Sequence, residues 1–190
     1  MFQSGILPCV AATMTFSLKG RNLFRPIVLL VIFVSVTLCS CFAHNNKPEV
    51  TVGANSPRIS GTDIYGEYVS PGQLDGKVIV LYFWKRSSGG GSLKQLELFF
   101  RHNERNNLEI LAINDSDSKS DLESYAKNNS ITFMMLKDGR SRLVKQFQVL
   151  DFPTIFILDR NGIIREKIIG EISIDTLRKL ISKQLLIQKT

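Results

Sequence analysis

Beyond Cys41 the chain has no cysteine. Its three thiols, Cys9, Cys39 and Cys41, all lie in the first quarter of 190 residues. The remainder can therefore build neither a disulfide framework nor a thiolate metal centre. Histidine is equally scarce, with only His44 and His102. Neither stands at a spacing that makes a nucleophile–base–acid set legible around any serine. No metal and no cofactor is expected. A basic block is missing too. Three of the 24 basic residues, Lys19, Arg21 and Arg25, precede the first long apolar run, leaving 21 against 17 acidic residues in the rest. These alternate without an aromatic-interleaved stripe, so nucleic acid is not an expected partner. Repeats and low-complexity tracts are absent.

What is present begins with a leader. Lys19, Arg21 and Arg25 are followed by an apolar run from Pro26 to Leu38, the layout of a signal peptide. Leu38-Cys39-Ser40-Cys41 resembles a bacterial lipobox, in which Cys41 is acylated and becomes the mature N-terminus. The alternative is an uncleaved helical anchor over 26–43, at the short end of membrane-spanning length. Both place the following domain outside the cytoplasm, in a bacterial cell envelope, because positive charge stays inside. The expected division is a leader over 1–41, a polar tether over 42–51 and one folded domain over 52–188.

The folded part centres on a strand–loop–helix unit. Val78 to Trp84 is a continuous β-branched and aromatic run, which predicts a strand buried on both faces. Lys85 to Gly91 interrupts it, and Ser92-Leu93-Lys94-Gln95 has the form of a capping box. Leu93, Leu96, Phe99 and Phe100 then recur at helical spacing. Around this unit the sequence predicts a hairpin over 59–69 and a strand over 108–114. A helix capped by Ser120 should end near Asn128, with a short strand over 131–136 and a helix around Leu143 to Phe147. The strand Thr154 to Asp159 turns at Asn161-Gly162 into Ile163 to Ile169. A last amphipathic helix is capped by Ser173. This order gives an α/β domain with a mixed sheet flanked by helices.

Phe83-Trp84 at the end of a core strand, a short loop onto a long helix, and Phe152-Pro153-Thr154 before a later strand resemble the thioredoxin superfamily. The stretch from Asn55-Ser56-Pro57 through Tyr65-Gly66-Glu67 to Gln73-Leu74-Asp75-Gly76-Lys77 is similar to its membrane-anchored, TlpA-type branch. The likeness runs from about Val52 to Leu186. It implies a thioredoxin-like fold with an N-terminal hairpin and a cis bond before Pro153. It also implies a Cys-x-x-Cys pair, whose two positions fall here on Ser88 and Gly91. With no thiol there, neither disulfide exchange nor peroxidatic cysteine chemistry is available to this loop.

The resemblance also implies a groove that pairs with an extended peptide. Its residues would be Phe152, Pro153, Thr154, Trp84, Lys85 and Arg86, with Trp84 either lining it or plugging the core. Lys85 and Arg86 are expected to point into solvent. The expected role is non-catalytic holding of an extracytoplasmic peptide or protein, by a chain held to the membrane through a lipid or helix. The alternatives are a TlpA-type thiol-disulfide oxidoreductase, which would need a thiol from elsewhere, and a structural or anion-sensing lipoprotein. For the last, the three glycines and Lys85 and Arg86 at a helix N-terminus would form the anion site.

Overall fold

The structure is a computed structural model, and it describes residues 50–187. The leader, Cys41 and most of the tether lie outside the described residues. A five-stranded mixed sheet runs in the order β5-β4-β3-β6-β7. Its strands are β3 (Val78–Trp84), β4 (Leu108–Asn114), β5 (Met134–Lys137), β6 (Thr154–Leu158) and β7 (Ile164–Ile169). β3 lies parallel to β4 and antiparallel to β6.

Every residue of β3 and β4 is buried, the unbroken apolar run of β3 and also Glu109 of β4, which pairs with Lys77 at 2.9 Å. Side chains of a strand alternate between faces, so β3 feeds two cores. Val78, Val80, Tyr82 and Trp84 join one, while Ile79, Leu81 and Phe83 join the other. Three helices cover the first face. These are α1 (Gly90–Asn103), α2 (Lys119–Asn128) and α4 (Ile174–Leu186), through Leu93, Leu96, Leu122, Ala126, Leu177 and Ile181. The second face is covered more thinly, by the short α3 (Arg142–Gln146), by Phe147, and by the N-terminal segment. Val50, placed in the tether by sequence, is buried in this second core.

The N-terminal hairpin forms from β1 (Gly61–Thr62) and β2 (Tyr68–Val69). The Asp63 carboxylate accepts from the amides of Tyr65 at 2.9 Å and Glu67 at 2.8 Å, and Gly66 takes φ +97° in the turn. The hairpin is tied to β5 by the Ile64 amide, which donates to the Met135 carbonyl at 2.9 Å.

Two caps differ from expectation. α1 starts at Gly90, and its N-cap, Gly89, makes no side-chain bond. Gly89 adopts φ +89°, which turns the chain into the helix ahead of Ser92. Ser92 therefore lies inside the first turn and is not the cap. The cap of α2 is Ser118 rather than Ser120. Its hydroxyl accepts from the Asp121 amide at 3.1 Å, because residue 118 is the last one in extended conformation. Ser173 caps α4 as expected.

Candidate functional site

β3 ends at Trp84, and residues 85–89 turn back over the start of β6. The turn closes on itself through two backbone bonds. The Lys85 amide donates to the Ser88 carbonyl at 2.9 Å, and the Ser88 amide to the Lys85 carbonyl at 2.8 Å. Its far side lies against Phe152 and Pro153, joined by a cis peptide bond. The Ser88 hydroxyl donates to the Phe152 carbonyl at 2.6 Å. The Lys85 ammonium stands 4.2 Å from the centre of the Phe152 ring. A Cβ built on Gly89 would lie 2.9 Å from the Pro153 Cβ, so only glycine fits there. By contrast, a Cβ on Gly91 would meet nothing within 4 Å.

Two tyrosines secure the loop from beneath. The Tyr82 hydroxyl donates to the Gly89 carbonyl at 3.2 Å, and the Tyr125 hydroxyl donates to the Gly90 carbonyl. Burial drives the Tyr82 phenol up to about 12. Burial raises Tyr125 as well. Sequence reasoning missed both, although Tyr82 shares the face of Trp84 by strand alternation.

The six expected groove residues divide. Phe152 and Lys85 meet at the surface. Pro153 and Thr154 are buried, Thr154 with its hydroxyl on the Asp151 carbonyl at 2.6 Å. Trp84 is fully buried, its ring 4.9 Å from that of Tyr125, and so it lines no groove. Its indole N–H has no hydrogen-bond partner among the described residues. Arg86 is exposed, as expected, yet it is paired. Its amide donates to Asp117 at 3.1 Å and its guanidinium reaches Asp121 at 3.3 Å. The Ser118 hydroxyl, with Arg86 as a further favourable charge, holds the Asp121 carboxyl below the usual range.

Asp115 lies 3.9 Å from the Lys85 ammonium. The carboxylates of Asp115 and Asp121 thus take the positive charge that an anion site would have reserved for its ligand. Asn114 holds this acidic loop, accepting from the amides of Ser116 and Asp117 and donating to the Asp117 carboxylate at 2.6 Å. His102, at the other end of α1, has its ring Nδ1 2.6 Å from the Leu98 carbonyl and is no base for Ser88.

The fold is shared with known proteins. The chain is 28% identical over 158 residues to the thiol-disulfide oxidoreductase ResA of Bacillus cereus, across 80% of this chain and 90% of that protein. Among solved structures it is similar to a thioredoxin-family thiol:disulfide interchange protein from Chlorobium tepidum. There the TM-score is 0.65 at 17% identity, over 71% of this chain and 98% of that one. A putative thioredoxin from Neisseria meningitidis matches at TM-score 0.62 and 23% identity, over 68% and 88%. These structural likenesses show the thioredoxin-like fold. The AhpC/TSA family model matches residues 52–167, well over half of the sequence, and the chain belongs to the AhpC/TSA family.

Proposed function

We propose that this chain is a membrane-anchored, extracytoplasmic thioredoxin-like protein without a redox pair, which holds an extended polypeptide at the surface formed by loop 85–89 and Phe152. The observation that carries this reading is the loop itself. Ser88 and Gly91 stand where the resemblance puts two thiols, and no cysteine follows Cys41 anywhere in the domain. A serine hydroxyl is far less acidic than a thiol and forms no stable bond to sulfur, so exchange cannot start there. Two exposed apolar side chains flank this surface along the chain and across the sheet. Leu150, two residues before Phe152, is 89% exposed, and Ile169, paired with Thr154 across the sheet, is 61% exposed. In this reading the leader supplies the anchor. Among the described residues no helix is long and apolar enough to cross a membrane.

The similarity to ResA supports one rival reading, disulfide reduction using a thiol from outside the folded domain. Insulin reduction by the full chain, beside its Cys9→Ser/Cys39→Ser/Cys41→Ser variant, separates the two. Both proteins should match the rate of dithiothreitol alone. Turnover by the full chain that vanishes in the variant would favour the reductase.

A further inference from the structure

Three consecutive carbonyls leading into β6 are all taken within the chain. That of Asp151 accepts from the Thr154 hydroxyl at 2.6 Å, and that of Pro153 from the Gly170 amide at 2.8 Å. These two bonds belong to the strand and its neighbour in the sheet. The middle one does not. The Phe152 carbonyl accepts at 2.6 Å from the Ser88 hydroxyl, which reaches it from a loop 64 residues away in sequence. An extended peptide pairing with this segment needs a main-chain acceptor, and every carbonyl here already has a donor.

We propose that Ser88 gates the site: its hydroxyl occupies the Phe152 carbonyl that an incoming polypeptide would use, and binding tightens when it turns away. This rests on the peptide-holding reading above. The gate is a side-chain rotation and not an opening of the loop. The backbone of Ser88 stays fastened to Lys85 by their reciprocal bonds, while Gly89 remains packed on Pro153. A serine side chain has three staggered wells, and a half-buried one at the rim can turn its hydroxyl to water. Because a carbonyl has two lone pairs, the hydroxyl competes with a ligand without excluding it completely. The ligand class is an extended polypeptide segment. Its amide N–H would replace the Ser88 donor, and its apolar side chains would meet Leu150, Phe152 and Ile169.

The test uses the full chain and a fluorescein-labelled, reduced and carboxymethylated insulin B chain, an extended probe with no free thiol. Fluorescence anisotropy gives Kd for wild type, Ser88→Ala, Ser88→Gly and Ser88→Thr. One neutral hydrogen bond is at stake, so removing the hydroxyl should tighten binding roughly two- to tenfold. Ser88→Thr keeps the donor and should bind like wild type. Equal Kd for wild type and both hydroxyl-free variants overturns the gate and leaves the peptide reading standing. Tighter binding by Ser88→Thr as well, or weaker binding by Ser88→Ala, also overturns it, because the effect would then not follow the hydroxyl. No binding by any of the four proteins overturns the peptide reading, and the gate with it.

Discussion

Gly89 and Pro153 meet so closely that a methyl group at residue 89 would sit 2.9 Å from the proline Cβ. Gly89 also holds φ +89°, a backbone region that L side chains rarely adopt. Two residues on, Gly91 faces open space at the second position of α1. The two glycines should therefore respond oppositely to alanine. Gly89→Ala should cost about 1–3 kcal/mol, from strain and the clash together. Gly91→Ala should gain about 0.4–1 kcal/mol by restricting the unfolded chain. Thermal melts of the two variants check this. Two shifts of the same sign would mean that the loop does not lie on Pro153.

A redox pair should be restorable. Gly91 offers unobstructed space in the first turn of α1, and Ser88 is half-buried just before the helix. Ser88→Cys/Gly91→Cys, in a background with the three leader cysteines replaced by serine, should form a disulfide under mild oxidant. Its first thiol should titrate below the ordinary ~8.5, drawn down by the helix N-terminus and by Lys85. Thiol counting decides the matter. Two free thiols after oxidation would show that positions 88 and 91 do not correspond to the pair.

The Tyr82 phenol makes alkaline stability specific to this loop. Its pKa is 10.0 when unperturbed and about 12 when folded. Below pH 10 both states keep the proton and the contribution is complete. Between pH 10 and 12 the unfolded chain gives up a proton that the folded one retains, so stability falls as pH rises. The loss should approach about 2–3 kcal/mol by pH 12. Tyr82→Phe has nothing to titrate there and should be weaker than wild type near pH 8, having lost the bond to Gly89. Melting curves from pH 8 to 12 should therefore converge. Parallel curves would mean that the phenol is not held neutral.

The exposed apolar residues beside Phe152 are open to a direct trial. Leu150→Ser and Ile169→Ser remove side chains that stand largely in solvent. Substitutions of this kind usually change stability by no more than about 0.5 kcal/mol. Their melting temperatures should stay near wild type while affinity for the carboxymethylated B chain drops. Unchanged affinity in both variants would move the peptide off this surface.

Cys41 should carry acyl chains at the mature N-terminus. Two chains plus an N-acyl group exceed the single chain that gives only marginal anchoring. Mass spectrometry of the membrane fraction distinguishes this from the uncleaved anchor, which would yield an intact peptide over 26–41.

Local pattern was enough for the elements and their faces. The β-branched and aromatic content of the unbroken apolar run Val78–Trp84 favoured a doubly buried strand over a helix. Asn161-Gly162 between two apolar runs marked the β6–β7 hairpin, and Gly162 takes φ +75° in that turn. Ser173 announced α4. Strand and helix periodicity are properties of neighbours in sequence, so a single chain displays them. Tertiary structure decided what depends on how distant segments approach. Trp84 could face solvent or core, and the packing of α1 and Tyr125 over it put it inside. Which of three glycines must be glycine was settled by Pro153 and not by the loop. The caps moved to Gly89 and Ser118 because the preceding turns ended there. Lys85 and Arg86 read as a candidate anion site until Asp115 and Asp121 came alongside. Ser88 found its partner in Phe152, across 64 residues that no local pattern connects. A polar side chain at the end of a turn bonds whatever the fold brings within about 3 Å, and only the assembled sheet determines what that is.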